Sequence, residues 1–528
     1  MIKGFKQIAV LTVFSRIFGL IRDMAYSYFL GAGGLMDAWT IAFRIPNLAR
    51  RLFGEGAASA SFIPVYSEEL ANDRESAARL ANTVVTSVFI ILAALVLIGW
   101  MLMGGYWLLA DGTQDTRLIL SLSSIMLPYA LMVCLVAIMA GVLNVHKHFA
   151  APAAAPIVLN FCIIGALIIT GTVMGLDGRI QVFGVAAAVL LAGVLQIWMQ
   201  RSALRKSGVK LSIGWDTNSA AFKKIIVLMG PMIIGLTVTQ LNTLADDLIA
   251  WFFSGSEAKG DYFMLLGRQL EYPLWRGSVS HLYYSQRLYQ FPLGVLGISL
   301  ATAIFPLMSE SAAKRDYDSL CLTIGRGVKG ALFIAMPATV GLWLVADPLV
   351  AALFEHGEFQ SADTGATSWT LIFYALGLCG YFSQQILTRA FYSVQDSKTP
   401  MRSAVFAVCV NIVLNLTLIW FMGTAGLAFS TAFCSYLQVA ILILAMRHRF
   451  ERKLFDKLGI NLFRTTTATC VMAIVGWAAI KLMADLPNTT FYQVVRLAVM
   501  VPLAGGTYYI CSAVLKNEML SLFKAAKK

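Results

Sequence analysis

Charge is what this sequence has least of. Only 13% of its 528 residues are Asp, Glu, Lys or Arg, about half the share of a water-soluble domain, which is near 25%. With 58% hydrophobic residues beside so little charge, water is excluded as the main solvent of the fold. Histidine is scarce as well, and His146, His148, His281, His356 and His448 stand near loops instead of in ligand clusters. No G-x-x-x-x-G-K-[ST] and no H-E-x-x-H occurs, which argues against nucleotide hydrolysis and zinc catalysis. The eight cysteines, Cys134, Cys162, Cys409, Cys434 and Cys470 among them, mostly fall in apolar runs without paired metal-ligand spacing, and read as small core residues.

What the chain has instead is apolar length, with a mean hydropathy of +0.73. A helix needs about 20 mostly apolar residues to cross the hydrocarbon core, and such runs recur throughout, leaving no stretch for a soluble domain. Gly, Pro and charge clusters divide them into about fourteen crossings. The first seven start near Gln7, Leu35, Asn82, Leu118, Pro152, Gln181 and Ile225, and the second seven near Ser280, Gly330, Thr367, Ser403, Ala425, Thr465 and Val494. The expected class is all-α, a polytopic membrane protein. Its first segment carries Arg16, Arg22 and Asp23, which a cleavable signal peptide would not tolerate, so it reads as a retained helix.

The net charge of +13 raises the question of nucleic acid, but its distribution answers it. Segments on the side of the termini hold about 30 Lys and Arg, opposite loops about 7 and intramembrane positions about 4; the positive-inside rule then puts both termini in the cytoplasm. The strongest basic loops run from Arg201 to Lys224 and from Arg447 to Arg464. Basic charge here is mostly topology.

Two halves repeat at an offset of about 242 positions. Pro64-x-x-Ser67-Glu68 returns as Pro306-x-x-Ser309-Glu310, and Gly184-x-Ala186 with Leu195-Gln196 returns as Gly426-x-Ala428 with Leu437-Gln438. The expected divisions are 1–224 with helices one to six, 225–463 with helices seven to twelve, and 464–528 with an unmatched pair, thirteen and fourteen. Two six-helix halves about a pseudo-two-fold axis are a transporter plan, with the substrate site expected between them.

Ionisable groups in the bilayer core cost about 2.5 to 3.5 kcal/mol and normally mark a pathway. Arg16 and Arg22 lie in the first segment, Asp37, Arg44 and Arg51 recur every seven residues in the second, and Arg287 lies in the eighth. Seven-residue spacing keeps those of the second segment near one helix face. Arg16, Arg22 and Arg287 are expected to converge on one water-filled cavity, because lipid-facing arginines would be too costly. The alternative pairs Arg22 with Asp23 or Asp37, and lets Arg50 and Arg51 merely end the second helix. Excess guanidinium in a low-dielectric site suits phosphate, through bidentate charge-assisted hydrogen bonds. A second constellation offers oxygen to a hard cation: Asp246, Asp247, Asn411, Asn415 and Thr431. Of these, Asp246, Asn411, Asn415 and Thr431 form a candidate sodium site. The alternative is interhelical hydrogen bonding by the asparagines and balancing of arginine charge by the aspartates.

Three stretches carry a resemblance: Ser15-Arg16-x-x-Gly19-x-x-Arg22-Asp23, Gly31-Ala32-Gly33 with Asp37-Ala38, and Pro46-Asn47-x-x-Arg50-Arg51-Leu52-Phe53-x-Glu55-Gly56-Ala57. Arg287-Leu288-x-x-Phe291-Pro292, Leu353-Phe354-Glu355-x-Gly357 and Gln395-Asp396-x-Lys398-Thr399-Pro400 continue it. Over nearly the whole chain the sequence resembles the lipid II flippase family of the multidrug, oligosaccharidyl-lipid and polysaccharide exporter superfamily. The resemblance implies fourteen helices, a cationic cavity, alternating access, and lipid II, an undecaprenyl-pyrophosphate-linked peptidoglycan precursor, as substrate and main partner in the bacterial inner membrane. It also implies roles for Arg16, Arg22, Arg50, Arg287, Asp37, Asn47 and Glu55, and an apolar groove on helices thirteen and fourteen for the isoprenoid tail. Arg44 stands where many relatives have Lys, and the segment from Glu257 to Ser278 is longer than usual and is expected to be a solvated loop. An exporter of another lipid-linked oligosaccharide, a non-transporting scaffold and a lipid-pyrophosphate phosphatase are the competing readings. The last lacks a nucleophile or base set among clustered cations.

Overall fold

In the computed structural model, residues 2–52, 58–109, 112–265, 267–450 and 458–520 are described. Helices dominate: α1 Ile2–Leu30, α2 Gly34–Ala49, α3 Ala58–Asn72, α4 Arg74–Leu109, α5 Gln114–Val145, α6 Ala150–Leu167, α7 Gly178–Lys206 and α8 Ala220–Phe252. After a short β segment come α9 Ser278–Pro292, α10 Ile298–Ala313, α11 Tyr317–Phe354, α12 Ser361–Leu376, α13 Leu378–Ser393, α14 Lys398–Met422, α15 Thr424–Phe450, α16 Leu458–Leu482 and α17 Thr490–Val514. In hydrocarbon each backbone amide needs an internal partner, and a helix supplies one for every residue between its ends. Three helix starts are closed by a side chain: Thr113 caps α5, Asp177 caps α7 and Asp316 caps α11. Gly31, at φ 65°, makes the left-handed turn from α1 to α2 that a side chain would strain.

Among the described residues ten helices are long and apolar enough to cross a membrane, or eleven if α12 and α13, bent by 42°, form one span. Helix also occupies the other three expected crossings, in α1, α2 and α8, so the figure of fourteen stays an expectation. The all-α membrane class is as expected. Leu108, Leu109, Phe421 and Leu482 present nearly their whole side chains outward, a surface suited to lipid.

The chain forms two compact units, Met1–Leu248 with Gly255–Glu271, and Ile249–Ser254 with Tyr272–Lys528. In the first, Phe62 and Tyr66 of α3, Leu80 and Val84 of α4, Val142 of α5 and Leu204 of α7 share one apolar core. In the second, α16 and α17 pack on α11 through Phe333, Met472 and Tyr508, joined by Met519 beyond α17. The Tyr508 hydroxyl donates to the Phe333 carbonyl at 2.7 Å. Most of α8 belongs to the first unit, so this division and the sequence repeat cut the chain at different places.

The stretch expected as a solvated loop contains a hairpin. After β1 Ser254–Gly255, just before it, the stretch holds β2 Tyr262–Leu265, β3 Arg268–Glu271 and β4 Leu274–Trp275. β2 and β3 pair antiparallel with Tyr262 opposite Glu271 and Met264 opposite Gln269. Alternation explains it: Tyr262 and Met264 face outward while Phe263 and Leu270 are half-buried, and Gly267 supplies the positive φ, 77°, of a tight turn.

Candidate functional site

Arg22 sits two-thirds along α1, and the helix packs against α6. Its Nε and Nη2 both donate to Asp23 Oδ1, at 3.1 and 2.8 Å. Its Nη1 donates to Asn160 Oδ1 of α6 at 3.1 Å, and the guanidinium lies 5.6 Å from the Tyr26 ring centroid. The adjacent-residue pairing kept open above, Arg22 with Asp23, is thus present. Asn160 in turn donates to the Ser15 carbonyl at 3.4 Å, tying α6 to α1 one residue from Arg16. Arg16 itself is exposed.

On α2, Asp37 is buried and Arg44 makes an ion pair with Asp247 of α8, its Nε donating to Oδ2. That is the charge-balancing role foreseen as the alternative for the aspartates. Arg50 follows α2 as its C-cap, and its Nε and Nη2 donate to Asn47 Oδ1 at 3.1 and 2.8 Å. The Arg51 Nη1 donates to Gln240 Oε1 at 3.1 Å. Glu55 lies outside the described residues.

Aromatic rings continue from Tyr26 beside Arg22. Tyr26, Trp39, Phe43 and Tyr129 form a ladder with successive centroids 5.6, 5.4 and 6.5 Å apart. Tyr129, fully buried on α5, lies within electrostatic reach of both Arg22 and Arg50. In the first unit the Arg22 and Arg50 guanidiniums are oriented by side-chain oxygens of Asp23 and Asn47, and both act electrostatically on Tyr129. An ordered guanidinium loses less conformational freedom when it meets a planar anion. Asn160, Tyr26, Trp39 and Tyr129 were missed by the sequence reading. A lone Asn in the apolar stretch of α6 was the one available signal.

In the second unit, Arg287 is half-buried on α9 with its guanidinium 4.5 Å from the Tyr283 ring centroid. On the same helix, and also missed, His281 Nδ1 lies 3.0 Å from Thr367 Oγ1 and Gln286 Nε2 donates to the Tyr374 hydroxyl at 3.0 Å.

Three of the four sodium candidates meet in this unit. Asn415 Nδ2 donates to Asn411 Oδ1 at 3.0 Å, and Asn411 Nδ2 donates to Thr431 Oγ1 at 3.3 Å. Both asparagines are buried. The bond from α14 to α15 is the interhelical role held as the alternative. The fourth candidate, Asp246, is buried on α8 in the first unit. Among the described residues no group of three or more His, Cys, Asp and Glu could hold a metal.

The family model described as lipid II flippase MurJ matches residues 26–495 of this chain. The chain belongs to the lipid II flippase MurJ family. A Vibrio cholerae serotype O1 member, named probable lipid II flippase MurJ, is 33% identical over 452 residues, covering 82% of this chain and 81% of its own. The Burkholderia cenocepacia lipid II flippase MurJ is 30% identical, covering 83% and 82%. A solved structure, lipid II flippase MurJ in an inward closed conformation, has a TM-score of 0.77 at 23% identity, over 97% of this chain and 99% of that one, and so shares the fold. The long apolar helices described above are those of a multi-pass membrane protein, as MurJ membership requires.

Proposed function

We propose that this protein flips lipid II from the cytoplasmic to the periplasmic leaflet of the bacterial inner membrane, by alternating access through a cationic cavity. Family membership supports the substrate. The observation that carries the chemistry is the pair Arg22 and Arg50, oriented by Asp23 and Asn47 and both within electrostatic reach of Tyr129. A pyrophosphate accepts from two guanidinium forks, and its charge replaces the oxygen acceptors that now hold them. Arg16 and Arg287 add positive charge toward the substrate, Arg44 being already balanced by Asp247, and Asp37 and Glu55 limit it so that the ligand can leave. Both termini are cytoplasmic on the basic-loop count. The protein is a carrier and makes or breaks no bond.

Sodium is the proposed coupling ion. Asn411, Asn415 and Thr431 present amide and hydroxyl oxygens, the donors a hard cation prefers. Asn411→Ala then abolishes sodium dependence, while Asp247→Asn, whose carboxylate serves Arg44, leaves it in place.

The test is purified protein in vesicles loaded with lipid II, read by the fraction that becomes accessible at the opposite leaflet. Transbilayer movement of lipid II, with no phosphate released, is expected. Movement of a different undecaprenyl-pyrophosphate oligosaccharide but not of lipid II would assign the chain to another lipid-linked sugar, and phosphate release would make it a hydrolase.

A further inference from the structure

We propose that a groove between the C-terminal end of α4 and the N-terminal end of α5 binds a glycerophospholipid of the surrounding leaflet, with an acyl chain over Gly104 and the phosphate at Arg117. The groove measures about 480 Å³ and is lined by Trp100, Met103, Gly104 and Trp107 of α4 and by Leu120 and Ser124 of α5. Its floor is open because Gly104 has no side chain: a Cβ placed there would meet no atom within 4 Å.

The polar atoms of the wall are already engaged within the protein. Trp100 Nε1 donates to the Ser124 carbonyl at 2.9 Å, and Ser124 Oγ donates to the Leu120 carbonyl at 2.9 Å. What the groove offers a ligand is therefore an apolar slot. Beside the lining residue Trp107, the exposed Arg117 lies 5.2 Å from the ring centroid. No carboxylate among the described residues pairs with this arginine. A guanidinium steadied on an indole face and left unneutralised attracts phosphate. An inorganic anion would leave the slot unfilled, and a neutral lipid would leave the cation unanswered. A phospholipid meets both.

Position favours the same occupant. Trp107, Leu108 and Leu109 are 51%, 85% and 90% exposed, on a helix of hydropathy 2.6, and tryptophan concentrates at membrane interfaces. The rim is braced, since Thr113 caps α5 and Asp115 Oδ2 accepts from Ser256 Oγ at 3.0 Å. On the orientation proposed above, this is the periplasmic leaflet.

The experiment uses the full chain in phosphatidylglycerol nanodiscs doped with a phosphatidylglycerol bearing a photoreactive acyl chain, and maps adducts by peptide mass spectrometry. A photoreactive diacylglycerol with the same chains is the uncharged comparison. Phosphatidylglycerol adducts are expected to concentrate on the segments from Trp100 to Leu108 and from Leu120 to Ser124. Arg117→Gln should lower them about five-fold, toward the diacylglycerol level. Gly104→Leu grows a side chain into open space and improves helix propensity, so it should keep the fold and lower labelling there by both lipids, with labelling of the other helices unchanged. Adducts spread evenly over the lipid-facing helices, or undiminished by either variant, would overturn the proposal.

Discussion

Asp247→Asn keeps the shape of the side chain and removes its charge, which isolates the worth of the Arg44 pair. Asp247 is 0% exposed at its side chain and Arg44 13%, so the variant leaves a guanidinium in a low-dielectric site without its carboxylate. Removing one partner of a buried ion pair costs about 3 to 5 kcal/mol. The remaining access of Arg44 to solvent puts the expectation at the lower end, about 3 kcal/mol. Arg44→Lys keeps the charge but loses the Nε hydrogen bond to Oδ2, for about 1 to 2 kcal/mol. The double variant Arg44→Gln with Asp247→Asn has no charge left to strand, so its loss should fall short of the two single losses by about 2 kcal/mol or more. The assay is thermal unfolding in detergent, followed by a thiol-reactive fluorophore that reaches the buried free Cys134 and Cys321 as the fold opens. Asp247→Asn melting with the parent protein, or strict additivity in the double variant, would refute the reasoning.

Asn160→Leu removes the acceptor of Arg22 Nη1; a hydrogen bond to a charged group is worth about 1.5 to 3 kcal/mol, so melting should fall and Arg22-dependent transport with it. Gly380→Ala should lower the melting temperature, because a Cβ there would stand 2.1 Å from Ser435 Oγ and 3.2 Å from its backbone carbon. Gly165→Ala, with nothing within 4 Å, should not. Asp396 lies between α13 and α14; partial burial pushes its carboxyl up, but bonds from Thr399 and Lys398 and the charge of Arg449 outweigh this and hold it below the usual carboxylate range. A depressed folded value means stability present above the unfolded value, about 3.9, and lost as pH falls through the folded one. The melting difference between Asp396→Asn and the parent should therefore be full at neutral pH and shrink below about pH 4.

The membrane class was legible because about 20 apolar residues per crossing is a requirement of the solvent and leaves its mark on every helix. Charged residues inside those runs were legible for the same reason, and Arg16, Arg22, Arg44 and Arg287 stood out without any structure. Their partners were not. Asn160 lies 138 positions from Arg22 and Asp247 lies 203 from Arg44, and no local period links residues so far apart. Asp23 was legible, being the next residue. The Asn411 and Asn415 contact followed from i, i+4 helical spacing, whereas the bond to Thr431 needed the packing of α14 on α15. The β2–β3 hairpin was readable in principle from the alternation of Tyr262, Phe263 and Met264 before Gly267. A polar and aromatic stretch between two membrane helices reads equally well as a solvated loop, which is how it was expected.

The central claim is that this chain carries lipid II across the membrane with Arg22 in the phosphate-binding set. Its most direct test is leaflet-resolved measurement of lipid II in cells depleted of their own flippase and supplied with this protein or its Arg22→Ala variant at equal membrane abundance. The account predicts that the parent protein returns lipid II to the periplasmic leaflet and prevents lysis, while the variant leaves it in the cytoplasmic leaflet. Failure of the inserted parent protein to move lipid II, or full rescue by Arg22→Ala, would contradict it.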